Sequence, residues 1–155
     1  MKRLALAVCL VVALGAGSGF AQSSGNGRGA LQDRLVGAWR LVWLEEPDAN
    51  GKIHRADCTG LLVYTRDGHM SVQVMYRNTQ PAKSSAPVQY AQGGYEASYG
   101  TYHDDVYTFT FHVEGALVRA LIGKDLKRVY ELSGKQMIVR SPDPNEHWRV
   151  CWEHY

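Results

Sequence analysis

From residue 31 onward, hydrophobic and polar side chains alternate with the period of two that is typical of β-strands. Between His69 and Tyr76 every second residue is apolar, and the residues between them are mostly polar. Eight such segments occur, at 39–44, 60–65, 69–76, 95–103, 106–113, 126–132, 136–140 and 147–153. The alternation predicts a core that contains Trp39, Leu41, Leu62, Tyr64, Val72, Val74, Phe109 and Phe111. Short strands at this spacing indicate an antiparallel sandwich or barrel.

The connections between the predicted strands are mostly short and favour hairpins. Asp67 and Gly68 separate two apolar runs, which is a strong hairpin signal. A short helical turn is expected at 31–36, and a short helical crossing at 117–122. Residues 77–94 contain two prolines and predict a long loop of the kind that often serves as a lid. The sequence therefore predicts an all-β fold, an eight-stranded up-and-down antiparallel barrel, because closure removes the edges of the sheet.

The first 21 residues have the features of a secretory signal peptide. Lys2 and Arg3 form a short positive segment, and an apolar run follows at 4–16 that is too short to span a bilayer comfortably. Gly19 and Ala21 supply the small residues that signal peptidase recognises. We expect residues 1–21 to be removed, 22–30 to form a flexible linker and 31–155 to form the barrel domain. The mature protein is then periplasmic or secreted.

Composition indicates one ordinary globular domain and narrows its partners. Of the 155 residues, 45% are hydrophobic and 21% are charged. The net charge of +2 comes from Lys2 and Arg3, and without them basic and acidic residues balance. A neutral domain lacks the electrostatic footprint of a protein that binds nucleic acid or an anionic membrane, so we expect neither as a partner. Composition leaves the oligomeric state open.

Export changes the meaning of the cysteines. Cys9 would leave with the signal peptide, so Cys58 and Cys151 remain. In an oxidising compartment this pair can form a disulfide that closes a long loop. The alternative is two small buried thiols in the wall of the barrel, and the sequence leaves both open.

Three segments resemble the lipocalin-like domain family of bacterial and fungal proteins, which are calycin-type β-barrels. They are residues 35–42, with a Gly-x-Trp motif at 37–39, residues 60–73, and residues 112–115 followed by Gly123 and Arg128. The resemblance covers nearly all of 31–155 and implies a barrel with a cavity for a small ligand. It also implies that Trp39 packs at the closed end, under Arg149. The sequence departs from the family pattern between Gly115 and Leu126, so the resemblance does not supply the identity of the ligand.

His112 and Glu114 are the candidates for catalysis. Residues i and i+2 of a strand point the same way, so the imidazole and the carboxylate would share one face. A histidine oriented by a carboxylate can act as a general base. The alternative is a polar outer face, because Phe109, Phe111 and Val113 on the other side of the strand would form the core.

Aromatic and polar side chains on several strands are candidates for ligand binding. Tyrosines can stack on an aromatic or polyketide-like molecule and offer hydroxyl groups as proton donors, although aromatic residues are common in any sheet. The candidate ligand-binding residues are Tyr64, Gln73, Tyr99, Tyr102, Arg128 and Trp148. The sequence lacks a recognisable motif for a metal, a nucleotide or a serine nucleophile, so we expect no metal and no cofactor.

Two functions fit these features. A protein that binds a small, mainly apolar ligand needs only the cavity and a lid from the loop at 77–94. A cofactor-independent isomerase, cyclase or lyase also needs a base and an acid that face inward, for which His112, Glu114, Arg128 and Tyr99 are the candidates. An exported inhibitor of a hydrolase is a third hypothesis, which the weakly charged loop at 77–94 does not favour. The direction in which His112 and Glu114 point is the most informative observation.

Overall fold

A computed structural model describes residues 33–77 and 94–155 of the chain. The predicted signal peptide and linker, and the centre of the long loop at 77–94, lie outside the described residues.

Nine strands follow one another in the described residues, and each is antiparallel to the strands with which it pairs. They are β1 (Gly37–Pro47), β2 (Ile53–Arg55), β3 (Cys58–Tyr64), β4 (His69–Tyr76), β5 (Tyr95–Asp105), β6 (Thr108–Ala116), β7 (Asp125–Ser133), β8 (Gln136–Arg140) and β9 (Arg149–His154). A helical turn at 33–35 precedes β1, and a 3₁₀ turn, Arg119–Leu121, lies between β6 and β7. Both short helical elements were predicted from the sequence.

Eight of these strands close into a barrel. The sheet runs in the order β1, β3, β4, β5, β6, β7, β8, β9, and β9 pairs again with β1. The predicted eight-stranded up-and-down barrel is therefore confirmed. The short strand β2 was not predicted; it pairs with the last three residues of β1, beyond the segment in which β1 pairs with β3.

The core occupies the inside of the barrel, as the alternation predicts. Of the eight expected core residues, Trp39, Leu62, Tyr64, Val74, Phe109 and Phe111 are buried, and Leu41 and Val72 are partly buried against them. The alternation is clear in β6, where Phe109, Phe111 and Val113 are each 5% exposed or less. The residues between them point outward, because successive side chains of a strand leave opposite faces of the sheet.

Two register shifts interrupt this alternation. In the pairing of β1 with β9, the register shifts between Leu41 and Trp43, and beyond the shift Leu44 and Glu46 are buried. In the pairing of β5 with β6, Tyr99 opposes Gly115 and Gly100 opposes Val113, so Glu114 is the extra residue of a β-bulge. Neither shift was predicted, because a bulge changes the period locally without a clear composition signal.

One end of the barrel is closed by three tight turns and by the helical turn at 33–35. Trp39 lies at this end: its Nε1 donates a hydrogen bond to the Leu35 carbonyl oxygen at 2.8 Å, and its ring meets that of His154 edge-on at 4.8 Å between centroids. Gly37 has a φ of 134°, and a Cβ there would lie 2.4 Å from His154 Nε2, so the Gly-x-Trp motif requires its glycine.

Arg149 does not cover Trp39, contrary to the expectation. It begins β9, where it pairs with Glu45 near the opposite end of β1, whereas Trp39 pairs with His154 at the end of β9. Arg149 instead lies over the ring of Trp43, 5.5 Å from its centroid. This opposite end, called the open end below, carries the segment 48–57, which contains β2. It also carries the connections at 117–124 and 141–148 and the long connection between β4 and β5.

Candidate functional site

A cavity lies inside the barrel and extends toward the open end. The space open to the centre of a water-sized molecule is about 60 Å³, several times the ~10–15 Å³ that a single water requires. Its walls are mainly aromatic and aliphatic. The lining residues are Leu62, Tyr64, Met70, Val72, Glu96, Ser98, Phe109, Phe111, Leu126, Arg128, Val139, Trp148, Val150 and Trp152.

Three polar residues stand out in this apolar wall: Glu96, Ser98 and Arg128. Glu96 and Ser98 lie two residues apart on β5, so they face the same side, and they are 6% and 4% exposed. Arg128 lies on β7. A buried carboxyl group is costly unless it is paired, so its position beside the partly buried Arg128 on one cavity wall marks a candidate binding site.

Burial controls the ionisation of Glu96. Desolvation raises the pKa of its carboxyl group from 4.5 to about 8, and this effect outweighs the positive charge of Arg128 and a hydrogen bond with Ser98, which both act to lower it. One carboxyl oxygen, Oε2, is buried without a hydrogen-bond partner among the described residues. Glu96 is therefore largely protonated at neutral pH and can donate a proton or a hydrogen bond to a ligand.

Arg128 and Trp148 form the next part of the wall. The Arg128 guanidinium carbon lies 5.1 Å from the Trp148 ring centroid, a cation–π contact. Arg128 Nη1 also donates to the Lys127 carbonyl oxygen at 2.9 Å, and Trp148 Nε1 donates to Glu146 Oε2 at 3.1 Å. These contacts hold a cation and an indole ring at the cavity. Arg128 and Trp148, which were both proposed from the sequence as ligand-binding residues, therefore belong to its wall.

Two tyrosines proposed from the sequence are buried, but only one lines the cavity. The hydroxyl group of Tyr64 is buried without a hydrogen-bond partner among the described residues, and burial raises its pKa well above 10. Tyr102 lies toward the closed end, with its ring 4.9 Å from that of Tyr64 and its hydroxyl donating to the Thr65 carbonyl oxygen at 3.2 Å. Tyr102 is therefore a support for Tyr64 rather than part of the described cavity wall.

Gln73 and Tyr99, also proposed as ligand-binding residues, point away from the cavity. Gln73 lies between the inward-facing Val72 and Val74, and it accepts a hydrogen bond from the Tyr95 hydroxyl on the outer surface at 3.2 Å. Tyr99 is 58% exposed. Its ring lies across Gly115, where a Cβ would come within 2.3 Å of the ring. Both residues belong to the outer face because the alternation of their strands excludes them from the inner one.

His112 and Glu114 also lie on the outside of the barrel. Both are exposed, and they flank the buried Val113. The carboxylate beside the His112 imidazole belongs to Asp125 on β7, with Nδ1 and Oδ1 2.7 Å apart, and not to Glu114, which lies in the bulge. The structure thus places His112 and Glu114, like Tyr99, away from the cavity. Of the four residues proposed from the sequence as acids or bases inside the barrel, only Arg128 lines the cavity.

Cys58 and Cys151 are free thiols. They lie on β3 and β9, with β1 between these two strands. Two strand spacings of about 4.8 Å separate them by about 10 Å, more than the ~7 Å limit between the Cα atoms of a disulfide. The sequence left open whether the two cysteines form a disulfide or remain separate thiols, and in the structure they are separate.

The described residues contain neither a metal site nor a membrane-spanning helix. Across 33–77 and 94–155, no three His, Cys, Asp or Glu side chains come together in a group suited to a metal ion. In the same ranges, no helix has the length and apolar character to cross a membrane.

An eight-stranded antiparallel barrel around a mainly apolar cavity defines the lipocalin-like class of β-barrels. The model of a family described as a lipocalin-like domain matches residues 36–153, so the chain belongs to that family. The resemblance noted in the sequence is thereby confirmed.

Solved structures similar to this chain include two bacterial proteins and one redesigned β-barrel. A lipocalin-like protein from Bacteroides uniformis has 12% identity and a TM-score of 0.49, covering 79% of this chain and 99% of its own. An uncharacterized protein from Bacteroides eggerthii has 17% identity and a TM-score of 0.47, and the match covers 78% of this chain and 99% of that protein. The redesigned barrel has 9% identity and a TM-score of 0.43, and the match covers 80% of this chain and 94% of the redesigned one. No curated protein matches the sequence.

Proposed function

We propose that this protein is an exported barrel that binds a small, mainly apolar molecule, aromatic or polyketide-like, in its cavity. The observation that carries the proposal is the cavity itself, with an apolar wall in which Glu96, Ser98 and Arg128 converge. Apolar pockets with a few placed polar groups are the usual form of small-molecule sites. Export is supported by the signal-like features of residues 1–21.

Two tryptophan substitutions on β7 test whether binding occurs inside the barrel. Leu126 lines the cavity, whereas the next residue, Lys127, is exposed on the outer face. A panel of small aromatic compounds should raise the melting temperature of the wild-type protein, because a ligand that binds only the folded state stabilises it. Leu126→Trp fills the cavity and should abolish that rise, whereas Lys127→Trp should preserve it. Equal ligand responses in the two variants would place binding elsewhere.

A second candidate function is proton-transfer catalysis on such a molecule, as in an isomerase, cyclase or lyase. The observation that favours it is Glu96, since a cavity carboxyl group with a pKa of about 8 can accept and return a proton near neutral pH. Among compounds that bind, a substrate should be converted, and Glu96→Gln should lower turnover by roughly 10²–10⁴-fold. Recovery of every bound compound unchanged would favour the binding protein.

A further inference from the structure

The charged groups of the cavity wall determine what kind of polar group a ligand can carry. Among the described residues that line the cavity, Glu96 is the one with a carboxyl group and Arg128 the one with a basic side chain. Arg128 is always protonated in proteins. Its positive charge acts on both Glu96 and Tyr64. Among the described residues, three buried polar atoms lack a hydrogen-bond partner, and these two residues carry the ones that belong to the cavity wall.

The groups without partners are suited to donate hydrogen bonds. The Tyr64 hydroxyl group and Glu96 Oε2 are both buried and unsatisfied among the described residues. Leaving a buried polar group unpaired costs free energy, so a ligand that satisfies these atoms recovers part of that cost as affinity. A ligand oxygen that accepts hydrogen bonds fits this environment better than a ligand donor does, because the guanidinium offers only donors.

We propose that the cavity binds a small apolar carboxylate anion, whose carboxylate group lies among Arg128, Glu96 and Tyr64. This inference deepens the proposed function and rests on it. Arg128 supplies the opposite charge, and the two unsatisfied groups supply hydrogen bonds to the carboxylate oxygens. The aromatic and aliphatic wall accepts the rest of the ligand. With about 60 Å³ open to the centre of a water-sized molecule, the cavity suits a small aromatic or short branched acid rather than a long-chain lipid.

The protonation of Glu96 makes this binding depend on pH. The polar groups that act on the Glu96 carboxyl are Arg128 from β7 and Ser98 on its own strand. The rest of the cavity wall consists of Tyr64 from β3 and apolar residues of β3, β4, β6, β7, β8 and β9 and of the loop before β9. With a pKa of about 8, the protonated fraction of Glu96 falls from about nine-tenths near pH 7 to about one-tenth near pH 9. Since ionised Glu96 repels a carboxylate, the affinity should fall about tenfold over that range.

Benzoate, benzamide and benzylamine are matched probes for this site, because they share one ring and differ in the charge of the polar group. We expect calorimetry on the purified protein near pH 7 to show that benzoate binds at least about tenfold more tightly than benzamide. The benzoate affinity should fall about tenfold toward pH 9, with proton uptake on binding in that range. The benzamide affinity should change little with pH.

Two variants locate these effects, each with a control on the outer face of β7. Arg128→Gln should remove the preference for benzoate over benzamide, and Lys127→Gln, which removes an exposed positive charge, should keep it. Glu96→Gln should still bind benzoate but lose the pH dependence, because its amide is neutral and retains a donor. Glu131→Gln is the matched control for an exposed carboxylate.

Each outcome supports or overturns the inference. Equal affinities for benzoate and benzamide in the wild-type protein would overturn it and leave the proposed function standing. Tighter binding of benzylamine that strengthens as pH rises would overturn it in favour of a cationic ligand. If neither these probes nor the other aromatic compounds bind, the proposed function itself fails. The measurements on the wild-type protein decide the case even if a variant does not fold.

Discussion

The carboxyl group of Glu96 should make the stability of the protein depend on pH. In the folded state its pKa is about 8, whereas the ordinary value of 4.5 applies to an unfolded chain. Between these values the folded state holds a proton that the unfolded state has released. The free energy of unfolding should therefore fall as pH rises from about 5 to about 8, by up to about 5 kcal/mol, and then level off. The loss occurs on the alkaline side because the folded pKa is raised.

Urea unfolding of the wild-type protein and of Glu96→Gln at several pH values measures this contribution. The glutamine is neutral at every pH, so the variant should gain stability relative to wild type as pH rises. The exposed Glu131→Gln should follow the wild-type curve. Parallel curves for Glu96→Gln and the wild-type protein would mean that Glu96 ionises normally in the folded state.

The two thiols allow a second test at the scale of single residues. Burial raises the pKa of the Cys58 thiol to about 11, and it also raises the pKa of the Cys151 thiol. Since the thiolate is the reactive form, both should be alkylated slowly in the folded protein at neutral pH. After unfolding without reductant, peptide mass analysis should find both cysteines alkylated. If they are alkylated only after reduction, the two residues are in a disulfide.

At the scale of elements, β6 provides an internal comparison between the two faces of one strand. Phe109 is 3% exposed and packs against Tyr64 and Tyr130, whereas His112 is exposed. Phe109→Ala should lower the free energy of unfolding by about 3–5 kcal/mol, because it leaves a cavity in the core. His112→Ala on the outer face should lower it by less than about 1 kcal/mol. The reverse order of these losses would show that the strand faces the other way.

Strand β5 shows how far alternation alone can lead. Tyr99 and Tyr102 were both proposed as ligand-binding residues, yet an odd separation places them on opposite faces of a strand. Applied strictly, the same rule puts Glu96 and Ser98 on the inner face with Tyr102, which is the signal that would have found the buried acid. Glu96 was missed because a charged residue in a strand is normally exposed.

The remaining differences come from interactions that composition does not record. Strong alternation in β4 and β6 and the Asp67-Gly68 turn made most of the barrel predictable. The bulge at Glu114 and the pairing of β2 depend on the register between strands, which only the closed sheet determines. The expected pairing of His112 with Glu114 requires an unbroken strand. Because β6 has a bulge at Glu114, the carboxylate that contacts His112 is that of Asp125 on β7.

At the scale of the whole molecule, closure of the barrel depends on its first and last strands. β9 pairs with both β1 and β8, and its Val150 and Trp152 complete the cavity wall. The cavity therefore exists only when nearly all of the described chain has folded. Binding and stability are coupled for this reason, since a ligand that needs the closed wall stabilises every strand of it.

Export is the last prediction, and it concerns the part of the chain that precedes the barrel. The apolar run at 4–16 after Lys2 and Arg3, with small residues at Gly19 and Ala21, predicts cleavage after Ala21. Intact mass of the protein from the periplasm or medium of a bacterial host should correspond to a chain that begins at Gln22. Ala21→Phe should leave the precursor uncut, because the peptidase needs a small residue there, whereas Ser24→Phe should be processed normally. Exported protein that retains Met1 would contradict the cleavage, and uncut protein that stays in the cytoplasm would contradict the export of the barrel.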